Sequence, residues 1–293
     1  MKYGPLVFLA AFFALSTSWF GFVLKPQAGL GRAVQETNVV STLLYPQPRP
    51  GQAHQGAEVY RANGCFYCHS QQVGQTGVAC DVVVTAAGTN RTAAAEAIVK
   101  ANPSMATANL TDFLNKLPGT VLKNVTRDAA DAALKLLKAP DMKVEVHIVP
   151  IGPDITRGWG RRHNVAADYV YDFPVMLGSQ RVGPDLANVG ARLPDANWHL
   201  LHLYSPQAQV NGSTMPSYRF LFETRKIGRV PSPDALTLTG NLAPAAGYEV
   251  VPKPEAHELV AYLLSLNSDA PLYEEPFTAP AAAPAQTNSI ATK

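Results

Sequence analysis

The chain has 293 residues, enough for a membrane anchor and two modest domains. Its 24 basic and 22 acidic side chains leave a net charge of +2, which excludes a nucleic-acid partner held through phosphate contacts. The three cysteines, Cys65, Cys68 and Cys80, are too few and odd in number to form a disulfide framework.

Residues 5–24 form an uncharged run rich in Leu, Phe, Ala and Val. A helix of about 20 such residues crosses a hydrocarbon core of about 30 Å. A cleaved signal peptide is the alternative, but Lys2 alone forms the basic region and no A-x-A cleavage site ends the run. The sequence therefore predicts an uncleaved anchor over residues 1–26 and a linker over residues 27–54.

The next motif is Cys65-Phe-Tyr-Cys68-His69. Two thiols at this spacing can form thioethers with the vinyl groups of a haem, and the tether places the following imidazole under the iron. A redox dithiol or half of a zinc site is the alternative, but there is no second Cys pair and no βαβ pattern. The motif predicts one covalently attached haem c with His69 as an axial iron ligand. Since this attachment takes place outside the bacterial cytoplasmic membrane, the chain is expected to span the inner membrane once, with its haem domain on the periplasmic side.

Two helices are predicted around this site. One covers residues 55–64, and the other covers residues 254–267, with Leu259, Tyr262 and Leu263 on one face. The pair resembles the crossing terminal helices of the class I cytochrome c fold. This resemblance implies a cytochrome c domain made of residues 55–77 and 153–269.

The sixth iron ligand is predicted to be Met215, in an irregular loop between a short helix over residues 195–204 and the last helix. Cytochromes c place their thioether ligand in such a loop, and a thioether raises the reduction potential relative to two imidazoles. Met176 is the alternative. His199 and His202, on the short helix, are assigned to packing or to solvent exposure.

A Gly-Pro-x-Leu turn at residues 183–186 supplies further candidates. In cytochromes c the proline carbonyl of such a turn orients the proximal imidazole, and Pro184 matches that position. An ordinary proline turn is the alternative interpretation. Arg181 is a candidate for pairing with a haem propionate, because a guanidinium suits carboxylates.

In chain order, these segments resemble the mono-haem subunit (subunit II) of cbb3-type cytochrome c oxidases: the first helix and residues 56–72, 171–174, 178–186, 197–203 and 213–218. The resemblance implies a non-catalytic electron-transfer subunit. Its expected partners are a di-haem cytochrome c subunit, which donates electrons, and the haem-copper catalytic subunit, which reduces oxygen to water. The chain departs from the family in a long insertion after the haem motif.

The insertion, residues 78–152, shows a β-α-α-β-α-β order, with helices predicted over residues 91–100, 107–117 and 126–138. It resembles the C-terminal domain of the bacterial ribosomal stalk protein. The stretch that binds translation factors there has no Lys or Arg here, so a ribosomal role is not expected. Cys80 is predicted to be an inert core thiol.

The fold class expected is therefore mainly α, with an anchor, a cytochrome c domain and a small α+β insertion. The Ala/Pro-rich residues 270–293 are predicted to form a disordered tail.

Two other functions stay open. A free-standing anchored electron shuttle requires a flexible linker, whereas residues 45–50, Tyr-Pro-Gln-Pro-Arg-Pro, indicate a stiff, extended one. A haem-based ligand sensor, with the insertion as its output, requires an open or weakly held sixth position.

Overall fold

The computed structural model describes residues 3–30, 34–38, 43–105, 110–268 and 270. These residues form two compact units. The first, called the cytochrome unit below, combines the described parts of Met1–Gln75 and Pro153–Leu272, and the second, called the inserted unit, is Thr76–Gly152. The predicted tail lies outside the described residues, except for Ala270.

Among the regular elements of the described chain helices predominate, and the strands form small antiparallel sheets. The helices are α1 (Gly4–Trp19), α2 (Lys25–Leu30), α3 (Gly51–Ala62), α4 (Arg91–Ala101), α5 (Leu110–Asn115), α6 (Arg127–Leu136), α7 (Pro153–Thr156), α8 (Val189–Arg192), α9 (Ala196–Tyr204), α10 (Pro206–Gln209) and α11 (Pro254–Ser265). The strands are β1 (Glu36–Thr37), β2 (Leu44–Tyr45), β3 (Gly77–Ala86), β4 (Gly119–Val125), β5 (Lys143–Ile151), β6 (Phe222–Lys226) and β7 (Tyr248–Pro252).

The first helix is apolar on all sides. A π-helical turn over Phe20–Leu24 joins α1 to α2, and the stretch Gly4–Gly29 has the length and the mean hydropathy, 2.0, of a membrane span. No residue of α1 is buried against the rest of the described chain. These properties fit the predicted membrane anchor, because an exposed apolar helix needs lipid or another protein around it.

The core of the cytochrome unit lies where α3 crosses α11. A Cβ atom on Gly56 would come 1.8 Å from the main-chain oxygen of Glu258, so only glycine allows the two backbones to approach this closely. The rings of Tyr60 and Tyr262, both fully buried, lie 5.2 Å apart beside this contact. This crossing positions the haem motif, which follows α3 directly.

The start of α3 differs from the prediction. The helix begins at Gly51, directly after Pro50, rather than at residue 55. Its buried face is made of Ala53, Gly56 and Tyr60, and two of these residues are too small to show up as apolar periodicity.

The sheet formed by β6 and β7 was not predicted. The two strands pair antiparallel from Phe222↔Pro252 to Lys226↔Tyr248, so the cytochrome unit is not purely helical. Strand β6 exposes four of its five residues, and its partner follows more than twenty residues later. Such a strand lacks the regular apolar alternation by which strands are predicted.

The inserted unit is a three-stranded sheet in the order β4-β3-β5, packed against helices. Its elements follow the predicted order, although β3 is longer than expected and residues 106–109 of the second predicted helix lie outside the described residues. Cys80 is buried in the core with Val82, Val84 and Ile98, which confirms the prediction of a core thiol. The two ends of the unit are neighbours, because Gly77 pairs with Ile151.

Candidate haem site

The haem motif lies on a tight turn after α3. Gly64 adopts a left-handed conformation (φ +66°) that ends the helix, and residues Cys65–Tyr67 form a 3₁₀ turn. The N–H of His69 donates to the carbonyl of Cys65 at 3.0 Å. Cys65 is half-buried, Cys68 is exposed and both are free thiols. Burial raises the pKa of the Cys65 thiol to about 12, so the thiol is protonated at neutral pH.

The imidazole of His69 has a defined orientation. Its Nδ1 lies 2.8 Å from the carbonyl oxygen of Pro184. A carbonyl only accepts hydrogen bonds, so Nδ1 carries the proton and Nε2 keeps its lone pair. Burial lowers the pKa of His69, although the Pro184 carbonyl opposes this effect. The ring is therefore a neutral imidazole with Nε2 available to a metal.

Glycines at two positions allow the Pro184 segment to lie against the motif. A Cβ atom on Gly183 would lie 2.2 Å from Cε1 of His69, and one on Gly178 (φ +81°) would lie 2.2 Å from the His69 carbonyl oxygen. The N–H of Gly183 donates to the Cys68 carbonyl at 2.9 Å. These contacts leave the His69 imidazole little room to move against the segment that carries Gly178 and Gly183.

A buried carboxylate fixes the same two segments. Asp185 has no exposed surface. It accepts hydrogen bonds from the Ser70 hydroxyl (2.5 Å), the Gln72 N–H (2.8 Å) and the Ala187 N–H (2.8 Å). The sequence prediction did not include Asp185, since its role depends on a segment more than a hundred residues away.

Arg181 makes its contacts within the protein. Its guanidinium donates to the Ser70 hydroxyl at 2.8 Å and to the Gln72 carbonyl, and it pairs with Asp154 at 2.9 Å. A pairing of Arg181 with a propionate stays a prediction, and these contacts do not support it.

Both candidate thioether ligands, Met215 and Met176, lie partly buried against the apolar cluster that also contacts Cys65. The Met215 loop is attached to α9, because the N–H of Tyr218 donates to the Leu203 carbonyl at 2.8 Å. Burial alone does not distinguish the two methionines. Only Met215 lies in the loop position that the sequence prediction used.

Two buried nitrogen atoms near His69 have no hydrogen-bond partner in the described part of the chain, Nε of Arg192 and Nδ1 of His202. The charge of Arg192 lowers the pKa of His69, and His69 in turn acts on His202. Burying such a donor without a partner costs about 1–3 kcal/mol. These two nitrogen atoms are suited to a haem, because its two propionate carboxylates could accept hydrogen bonds from them.

His199 and His202 differ in their surroundings. His199 is buried, and its Nε2 lies 2.8 Å from the Leu193 carbonyl oxygen, so its polar ring is satisfied by the protein. The ring of His202 stacks on Trp198 with a centroid distance of 4.7 Å and an interplanar angle of 10°. Burial, together with smaller effects of His199 and His69, lowers the pKa of His202 to about 4. His202 is thus neutral at physiological pH.

Two thiols and an oriented imidazole on one turn, held against a Gly-Pro segment, are the features of a cytochrome. Residues 147–237 match the family described as cytochrome c oxidase, mono-haem subunit/FixO. The chain therefore functions as a mono-haem cytochrome subunit of a cbb3-type cytochrome c oxidase, a membrane-associated complex.

The family match includes Pro184 and Met215 but not the Cys65–His69 motif, which lies earlier in the chain. The comparisons do not support the resemblance of the inserted unit to the ribosomal stalk domain. A search of curated proteins found no match to the chain.

Proposed function

We propose that the chain carries one haem c, attached through thioethers to Cys65 and Cys68, with His69 and Met215 as axial ligands of the iron. The hydrogen bond between His69 and Pro184 carries this proposal, because it leaves Nε2 of a neutral imidazole free. When bound, the haem supplies one-electron chemistry, and the chain holds and orients it. Oxygen is reduced elsewhere in the complex.

Met215 is the proposed sixth ligand, with Met176 as the alternative. A thioether opposite an imidazole raises the reduction potential, which suits transfer toward an oxygen-reducing centre. The attachment of the Met215 loop to α9 supports this choice, since a fixed loop holds a ligand in place without further ordering. The crossing of α3 and α11 supports a class I cytochrome c fold for this unit.

Arg192 is proposed to bind a haem propionate in place of Arg181. The Nε of Arg192 is buried without a partner, whereas Arg181 is already paired with a carboxylate. Burial lowers the pKa of Arg192, and the carboxylate of Asp185 opposes this effect. A further carboxylate beside this guanidinium would offset the cost of burying its charge.

The proposed partners within the oxidase are a di-haem cytochrome c subunit as electron donor and the haem-copper catalytic subunit as acceptor. The proposed position is the periplasmic side of the inner membrane, with α1 and α2 as a single-pass anchor. The exposed apolar surface of α1 supports contact with lipid and with another transmembrane helix.

Contacts of the segment before α3 favour a stable subunit over a mobile shuttle. The Tyr45 hydroxyl donates to Asp168 at 2.9 Å, Arg49 pairs with Asp172, and the Arg49 guanidinium lies 5.3 Å from the ring centre of Tyr262. These contacts fix residues 45–49 on the cytochrome unit. This part of the predicted linker is therefore not a flexible tether.

Replacing residues 1–24 with an unrelated transmembrane segment tests the proposal. If the anchor also packs against the catalytic subunit, the variant stays in the membrane and keeps its haem spectrum, but oxygen consumption falls and the oxidase no longer co-purifies. The control is the native chain expressed from the same promoter. Full oxygen consumption with the foreign helix would favour the anchored shuttle.

A further inference from the structure

The ring of His202 is held in one orientation by its neighbours. It stacks on Trp198, and its Nδ1 has less than 1 Å² of accessible surface and no hydrogen-bond partner among the described residues. His199, one turn earlier on α9, has its Nε2 satisfied by the Leu193 carbonyl. The two histidines of one helix therefore differ, since the protein pairs a ring nitrogen of His199 and leaves Nδ1 of His202 buried without a partner among the described residues.

The position of His202 relates it to the haem site. It interacts electrostatically with His69, the proposed proximal ligand. It also belongs to α9, which carries the Leu203 carbonyl that holds the Met215 loop. Since the ring is neutral, it donates a hydrogen bond from one nitrogen without bringing a charge.

We propose that Nδ1 of His202 donates a hydrogen bond to a haem propionate and thereby raises the reduction potential of the haem. The inference rests on the proposed haem site. A propionate is the acceptor of choice because the periphery of a haem is otherwise apolar. A hydrogen bond to the propionate reduces the stabilisation that its negative charge gives to the oxidised iron.

The first test measures the midpoint potential of the haem in three proteins at pH 8: wild type, His202→Phe and His202→Gln. Phenylalanine keeps an aromatic ring on Trp198 but removes the donor, so the potential is expected to fall. Glutamine keeps a donor, so its potential is expected to lie between those of the wild type and the phenylalanine variant. His199→Gln is the matched control on the same helix and is expected to keep the wild-type potential, since an amide can also donate to Leu193.

The absorption spectrum separates failure of this inference from failure of the proposed function. A low-spin spectrum in His202→Phe with an unchanged potential would overturn the propionate contact and leave the haem site intact. Loss of the low-spin spectrum in both His202 variants would instead show that His202 is required for axial ligation of the iron, and would also overturn the inference.

A measurement on the wild type does not depend on the folding of variants. Haem labelled with ¹³C at the propionate carboxyl groups is incorporated into protein labelled with ¹⁵N in the histidine rings, and the ¹³C–¹⁵N dipolar coupling is measured by solid-state NMR. The expected result is a coupling that places a carboxyl carbon and a histidine ring nitrogen at hydrogen-bond distance. The absence of such a coupling would contradict a hydrogen bond from an imidazole to a propionate.

Discussion

At the scale of single residues, the site is built around the orientation of one imidazole. His69 donates to Pro184 through Nδ1 and lies against the backbone of Gly183. The sequence predicted the contact with Pro184, because a Gly-Pro turn is a local pattern. It did not predict the need for glycine at 183, which follows only from the approach of two distant segments.

Substitution of Gly183 by alanine tests this packing. The added Cβ would lie 2.2 Å from Cε1 of His69, so the imidazole must tilt or the segment must move away. We expect weaker axial ligation, seen as a high-spin fraction in the absorption spectrum, and a loss of about 1–3 kcal/mol of stability. Gly228→Ala is the control, because nothing lies within 4 Å of its Cβ position. Identical spectra for both variants would contradict the close packing of Gly183 against the His69 imidazole.

At the scale of elements, the helices were easier to predict than the strands. The face of α11 follows the helical period with large side chains, whereas α3 buries small ones and β6 is mostly exposed. The contacts that join one element to another are made by polar side chains, which do not recur at the regular spacing of a helix or a strand. The main example is Asp168, which accepts hydrogen bonds from Tyr45, Arg162 and Asn164.

Asp168→Asn should destabilise the cytochrome unit. Arg162 and Asp168 pair at 2.8 Å with almost no exposed side chain, and removing one buried partner leaves the other charge uncompensated. We expect a loss of about 3–5 kcal/mol, measured by thermal or denaturant unfolding. Glu58→Gln breaks the exposed pair with Arg61 and is the control, with an expected loss of about 0.5 kcal/mol or less.

The Arg162–Asp168 pair also makes the stability of the cytochrome unit depend on pH. Burial alone raises the pKa of Asp168, but Arg162 and the neighbouring donors lower it below its ordinary value of 3.8. A carboxyl with a lowered folded-state pKa contributes its stabilisation above its unfolded-state pKa and loses it as the pH falls through the folded-state pKa. The wild type should therefore lose stability in acid more steeply than Asp168→Asn. Parallel acid-unfolding curves for the wild type and Asp168→Asn would contradict a lowered pKa of Asp168 in the folded state.

At the scale of the whole molecule, the chain combines an apolar helix, a cytochrome unit and an inserted unit. The order of elements in the inserted unit was predictable, because short helices and strands with ordinary periods alternate there. Its role was not predictable, since no pattern in it indicates a ligand or partner.

The inserted unit should be removable. Its ends are neighbours, with the N–H of Thr76 donating to the Ile151 carbonyl at 2.9 Å. Within the cytochrome unit the flanking residues also meet, since the N–H of Gly74 donates to Asp154 at 2.7 Å. We expect that deletion of residues 76–152, with Gln75 joined to Pro153 by two glycines, leaves the haem spectrum unchanged. A shortened protein without haem would show that the unit completes the cytochrome core.

The most direct test of the proposed haem site is the sulfur-to-iron charge-transfer band of the oxidised chain, measured in the near infrared for wild type, Met215→Ala and Met176→Ala. We expect the haem to stay covalently attached in all three proteins, because attachment depends on Cys65 and Cys68. We expect the band in the wild type and in Met176→Ala, and its loss in Met215→Ala. A band that persists in Met215→Ala and disappears in Met176→Ala would contradict the proposed ligand and with it the arrangement of the site.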